Sequence, residues 1–297
     1  VPDPSAVAVF ADLRAEGDEL DPLVGELPGA GWAAPTPAAG WTVAHQIAHL
    51  HWTDRASLLA LTDAEGFAVM AEEAAKAADT FVDEGAAEGA LLDPAELLAR
   101  WREGRAALDA ALAAADPDAR FPWYGPPMKA ASMASARLME TWAHGQDVAD
   151  ALGVRRAPTN RLRHVARIGV RARDYAYAVR GLAAPGEQFR VELLAPDGAG
   201  VWAFGPEDAG QRVTGPALDF CLLVTRRAHR ADLALTATGP DADRWLDIAQ
   251  AFAGPAGPGR APAAGGDASA GGNSAGGDSA PAGGGSAPAA ADGRDGR

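Results

Sequence analysis

Two polar stations interrupt segments that otherwise read as core helices, and the chemistry of the chain concentrates in them. The first is Gly40-Trp41-Thr42-Val43-Ala44-His45-Gln46-Ile47-Ala48-His49-Leu50; the second is Met139-Glu140-Thr141-Trp142-Ala143-His144-Gly145-Gln146-Asp147. Glu140, His144 and Asp147 fall at i, i+4 and i+7, so a helix presents them on one face, which Met133, Ala136 and Ala151 extend as small or apolar residues. A carboxylate and an imidazole on an inward face are costly to bury unpaired. A divalent metal that bonds both removes that cost. A site open to chemistry needs about three protein ligands and a position left for water or substrate. Glu140 and His144 supply two, and His49, one turn beyond His45 on another helix, is the best candidate for the third. Two histidines and one carboxylate suit zinc, iron or another first-row metal, so the set does not name the ion.

The neighbouring polar residues have plainer readings beside the chemical one. His45 makes an i, i+4 pair with His49 and is either a fourth ligand or a solvated residue of the first turn. Asp147 either orients an imidazole or faces water. His51 sits at the edge of the apolar stripe. A Glu-x-x-x-His spacing arises on helices by chance, so spacing alone leaves a metal-free helical module with a polar interaction face as an alternative.

The elements that must position these residues are legible from periodicity. Four long helical patterns occupy residues 4–26, 42–62, 94–115 and 129–152, with one or two shorter helices within 66–89. Thr42 is a good N-cap, Asp93 precedes Pro94 at a first helical position, and Gly153 is a plausible C-cap. The stripe Val43, Ile47, Leu50, Asp54, Leu58, Leu61 is apolar except at Asp54, which demands a partner. Four such helices with modest connections suggest a bundle, and bundles build metal sites from facing helices. Beyond them the pattern changes to one helix over 159–182, strands at 188–194 and 201–204 around a Pro-Asp-Gly turn, a helix over 216–228, a strand at 233–238 and a helix over 241–252. The fold class is therefore α+β. The expected domains are 1–156, a metal-binding helical bundle; 157–256, a small α+β domain; and 257–297, a Gly/Ala/Ser/Pro-rich tail with too little apolar surface to order itself.

Composition removes several classes of function. A net charge of −14 and pI near 4.8 leave no broad basic surface for nucleic acid. No apolar run approaches the roughly 18 residues of a membrane span, and Val1-Pro2-Asp3-Pro4 lacks the features of a signal peptide. Cys221 is the only cysteine, so no intrachain disulfide forms; within Leu218-Asp219-Phe220-Cys221-Leu222-Leu223-Val224 it reads as a core residue. A cytoplasmic protein is expected. The Ala/Gly/Arg/Asp-rich usage points to a GC-rich genome.

The two polar strings resemble the mycothiol-dependent maleylpyruvate isomerase family of the DinB-like four-helix-bundle superfamily, in particular an actinobacterial subgroup described only as metal-binding proteins, without an established reaction. The shared pattern is a Gly-Trp-Thr helix start, then Ala-His-Leu, then Glu-x-x-x-His-x-x-Asp. The stretch from Thr214 to Arg227 also resembles the family's Gly-x-x-x-Asp-Leu-Leu-Leu run, and the likeness spans roughly residues 5–256. It implies a DinB-like bundle with metal ligands His49, Glu140 and His144, followed by a small α+β domain. It also implies a thiol cofactor such as mycothiol and a small acidic substrate. Thr225-Arg226-Arg227 stands where the family has a Trp-Gly-Arg-like ending, which makes Arg227 the candidate for the catalytic arginine.

Arg163, Arg167 and Arg171 follow at i, i+4 and i+8 in an otherwise acidic chain. Such a row either holds the carboxylates of a thiol cofactor or acidic substrate, with Arg163 and Arg167 as cofactor-binding residues, or pairs with acidic residues of the bundle. The functional expectation is a protein that binds a divalent metal, zinc by preference, and uses a low-molecular-weight thiol in a transferase or isomerase reaction. The alternative is a non-catalytic metal or small-ligand binding protein on the same bundle.

Overall fold

The computed structural model describes residues 4–77 and 80–263; the expected tail lies outside it beyond residue 263. The chain is α+β, a helical bundle followed by a small sheet domain, and it divides into two compact units between Arg156 and Ala157. No helix among the described residues is long and apolar enough to cross a membrane.

In the first unit the long helices are α1 (Pro4–Gly25), α3 (Val43–Thr62), α6 (Pro94–Ala114) and α7 (Ala130–Ala151). The short α2 (Gly29–Trp32), α4 (Ala64–Lys76) and α5 (Phe81–Ala90) lie between them. The ends follow local chemistry. The Asp93 carboxylate accepts from the Ala95 N–H at 2.9 Å ahead of α6. Gly153, at φ +66°, closes α7: its N–H reaches the Asp150 carbonyl and the Val154 N–H that of Ala149, a turn that a Cβ would strain. α3 packs on α5, α6 and α7, and α1 packs on α6 and α7. Leu20, Val24, Ile47, Leu50, Leu97 and Trp101 fill the core between them. α7 is buried on nearly every face, as befits a central helix, and its alanines and Gly145 permit the close approach.

The polar interruption at Asp54 is explained by α7. Arg137 Nε donates to Asp54 Oδ1 at 2.9 Å, with both side chains almost fully buried. Burial pushes the Asp54 carboxyl above its ordinary range, and Arg137 pulls against that shift. A second buried pair, Arg156 with Glu16, ties the end of the unit to α1, while Arg156 Nη1 also donates to the Trp142 carbonyl at 3.0 Å.

The second unit holds α8 (Leu162–Arg171), α9 (Arg173–Ala178), β1 (Phe189–Leu194), β2 (Val201–Phe204), β3 (Gln211–Pro216), α10 (Ala217–Val224), β4 (Thr236–Thr238) and α11 (Pro240–Ile248). The sheet order is β2-β1-β3-β4, with β1 antiparallel to β2 and parallel to β3. The expected helix over 159–182 is interrupted at Ala172, whose ψ of 5° leaves the helical range. β3 was not anticipated, because Val213 is its one large aliphatic residue and Gly215-Pro216 reads as a turn. Trp245 meets Phe189 and Phe220 edge-on, each at 5.8 Å. Cys221 is fully buried and its thiol is pushed up by that burial, which fits a core residue.

Removing one partner of the Asp54–Arg137 pair strands the other charge in the core. Asp54→Ala should lower the unfolding free energy by about 3–5 kcal/mol. The double variant Asp54→Leu/Arg137→Met should recover most of the loss, and chemical denaturation of the three proteins measures both effects.

Candidate metal centre

α3 and α7 bring the three expected ligands together. His49, Glu140 and His144 are buried, and each offers an atom within 4.8 Å of the others. The Glu140 Oε2 lies 3.1 Å from His49 Nε2 and 3.2 Å from His144 Nε2. The rings of His49 and His144 are 4.4 Å apart. Burial alone would raise the Glu140 carboxyl; the two imidazoles outweigh it and hold the group well below the usual carboxylate range.

The other ring nitrogen of His144 is also held. Its Nδ1 lies 2.5 Å from Gln46 Oε1, while Gln46 Nε2 donates to Thr36 Oγ1 at 2.9 Å. An amide oxygen only accepts, so Nδ1 carries a proton and Nε2 is the nitrogen turned to Glu140. His144 Nε2 and Glu140 Oε2 face each other in a dry interior, where a proton or a metal cation between them satisfies both. The Nδ1 of His49 is buried with no hydrogen-bond partner among the described residues.

Aromatic rings wall the cluster. Trp41 stacks on His144 at 5.8 Å and donates its indole N–H to Asp83 Oδ1 on α5 at 3.0 Å. Trp52 lies 6.2 Å from His49, and beyond it come Phe81 and Tyr124, whose hydroxyl is pushed up to about 12 by burial. Gly40 makes the turn that presents Trp41: its φ is +77°, and the Trp41 N–H closes on the Ala38 carbonyl at 3.0 Å.

The remaining polar residues of the two stations have separate duties. His45 belongs to the helix cap, since its Nδ1 accepts from the Thr42 backbone N–H at 3.3 Å and lies 2.8 Å from Thr42 Oγ1. His51 turns toward Gly104 of α6, and burial, then Arg55 and Arg100, hold it down at about 4. Asp147 is buried on α7. Arg163 and Arg167 are exposed along α8 in the second unit, and Arg227 follows α10, where its Nη1 donates to the Thr225 carbonyl at 2.7 Å. Gln46 and Thr36 were not singled out from sequence. The one available signal was an uncharged polar residue, Gln46, between Val43 and Ile47 on a buried stripe.

A helical bundle with a buried His/Glu/His cluster, followed by a small sheet domain, defines the class, and the chain belongs to the mycothiol maleylpyruvate isomerase N-terminal domain family, whose sequence profile matches residues 13–149. Two relatives, uncharacterized proteins from two Mycobacterium tuberculosis strains, are each 58% identical over 250 residues, covering 84% of this chain and 97% of their own. The fold is that of a mycothiol-dependent maleylpyruvate isomerase crystal structure, at a TM-score of 0.53 and 18% identity, covering 80% of this chain and 95% of that one. A histidine-to-alanine mutant of an isomerase of the same name matches equally. A second profile, for wyosine base formation, matches residues 185–238.

Because His45 serves the cap, His45→Ala should cost roughly 0.5–1 kcal/mol of stability, the usual range for a lost N-terminal cap contact. Urea denaturation measures the cost. A loss of metal equal to that of a ligand variant would instead place His45 among the ligands.

Proposed function

We propose that this protein binds a divalent metal, zinc by preference, through His49, Glu140 and His144. With it, the protein uses a low-molecular-weight thiol such as mycothiol in a transferase or isomerase reaction on a small acidic substrate. The observation that supports this most is the convergence of a buried carboxylate with the Nε2 atoms of two imidazoles, one of them oriented by Gln46. Spacing supports it as well. Donors bonded to zinc at about 2.0–2.1 Å in a tetrahedron stand roughly 3.3 Å apart, and the two nitrogen–oxygen separations here are 3.1 and 3.2 Å. Three protein donors leave a tetrahedral position for an exogenous ligand.

A divalent ion at this place would supply a Lewis acid that favours the deprotonated, nucleophilic form of a thiol. The chain's own residues do the rest. Gln46 orients His144, and the Trp41 ring shields one imidazole face from water. Arg227 is the candidate for the substrate carboxylate, with Arg163 and Arg167 as candidates for the acidic groups of the thiol cofactor. A detail of the turn after α10 supports Arg227. Arg226 sits at φ +60°, the conformation in which glycine is at ease, and the family pattern has glycine there. Arg227 therefore keeps the register of the family's arginine even though Thr225-Arg226 replaces Trp-Gly. The acidic charge and single buried cysteine fit a reducing, cytoplasmic setting.

Replacing His49, Glu140 or His144 with Ala should reduce bound metal well below one ion per chain by elemental analysis; full occupancy in all three variants would overturn the ligand assignment. In cobalt-substituted protein, mycothiol should produce a saturable change in visible absorption that is absent from His144→Ala. Neutralising Arg163 or Arg167 should weaken that binding by about 1.5–3 kcal/mol, the range for a hydrogen bond to a charged group. Cobalt spectra that ignore a panel of cellular thiols would leave the metal-binding protein without thiol chemistry as the better reading.

A further inference from the structure

The Trp41 carbonyl is the fixed end of a chain of polar contacts that terminates at the metal centre. Its oxygen accepts the Thr36 N–H at 2.8 Å and lies 2.9 Å from Thr36 Oγ1. A carbonyl has no proton to give, so the hydroxyl donates to it. Thr36 Oγ1 can then only accept from Gln46, which sets the amide with Nε2 toward Thr36 and Oε1 toward His144. Oε1 in turn requires a proton on His144 Nδ1, so Nε2, 3.2 Å from Glu140, is the nitrogen that can be given over to a cation. Each link has one allowed direction because the first link does.

We propose that Thr36, outside both metal motifs, is a positioning residue of the centre: through Gln46 it fixes the His144 tautomer that can accept a cation. The proposal rests on the reading of His49, Glu140 and His144 as ligands. The opposite arrangement uses the same heavy atoms. The Thr36 hydroxyl would donate to Gln46 Oε1, the amide nitrogen to His144 Nδ1, and a His144 Nε2–H to Glu140. That closes the cluster as a metal-free network. Its cost is at the Trp41 end, where two oxygens 2.9 Å apart would face each other without a proton. Removing the Thr36 hydroxyl abolishes that cost and frees the amide to reverse.

Thr36 lies in the loop before α3 and is half-buried, so Thr36→Val, equal in shape, leaves the helices intact. The test compares wild type, Thr36→Val and Thr36→Ser as full chains. Histidine side-chain 15N NMR of the metal-free proteins reads the tautomer, and competition with a chromophoric chelator reads zinc affinity. Wild type and Thr36→Ser should show His144 protonated at Nδ1. Thr36→Val should move the proton to Nε2 and weaken zinc binding about tenfold to a hundredfold, the usual effect of losing a partner that orients a ligand. A Thr36→Val protein that keeps the Nδ1–H tautomer, or that switches tautomer and holds zinc as tightly as wild type, overturns the proposal. If wild type takes up no zinc but the tautomer still follows residue 36, the ligand reading falls and the orienting role of Thr36 stands.

Discussion

Three polar rungs join α3 to α7, and the bundle is built around them. Gln46 meets His144, His49 meets Glu140, and Asp54 meets Arg137. The numbers rise along α3 as they fall along α7, as an antiparallel pair requires. Eight residues on one helix and seven on the other advance by nearly the same distance, about 12 and 10.5 Å at 1.5 Å per residue. Apolar packing alone would tolerate a slide of one helix along the other with modest repacking. A slide that separates these rungs leaves buried donors, acceptors and charges unpaired, at about 1–3 kcal/mol each and more for the ions. The register of the central pair is thus set by hydrogen bonds, and the positions of the ligand atoms follow from it.

That view accounts for how a dry core tolerates so much polarity. The Asp54–Arg137 pair is an ionic unit in direct contact at 2.9 Å, although Arg137 Nη1 and Nη2 are buried with no hydrogen-bond partner among the described residues. The Glu140 cluster is different in kind. Its carboxylate receives two imidazole nitrogens, and all three groups are of the kind that can hold a metal ion. The first rung of the ladder prepares the second, since Gln46 acts on His144 and His144 on Glu140. Trp41 takes part twice, with its ring over His144 and its carbonyl at the head of the Thr36 chain.

The sequence disclosed those parts of this arrangement that helical periodicity can express. Glu140 and His144 share a face at i, i+4 whatever the fold, and His49 sits among aliphatic residues that had to face inward. Asp54 announced itself as an anomaly, but its partner lies on another helix and no spacing rule connects them. Gln46 and Thr36 were harder still, because an amide and a hydroxyl are unremarkable until the tertiary structure places them end to end. In the second unit the same limit shows at β3, where pairing with β1 and β4 makes a strand of a segment whose own pattern is weak. The arginine row on α8 was legible as a row, yet its duty depends on what approaches the exposed face.

The division of labour on α3 also bears on how the centre is protected from the solvent it must admit. His49 is wholly buried, whereas the side chains of Glu140 and His144 retain 6% and 7% exposure. On the α7 side Trp41 lies against His144 and is itself tied to α5 by Asp83. An indole face beside the donor atoms makes their surroundings apolar, which penalises a charge that must shed its hydration there. Arg137 and Arg156 are committed to carboxylates of this unit, so neither is left to meet an acidic group at the centre.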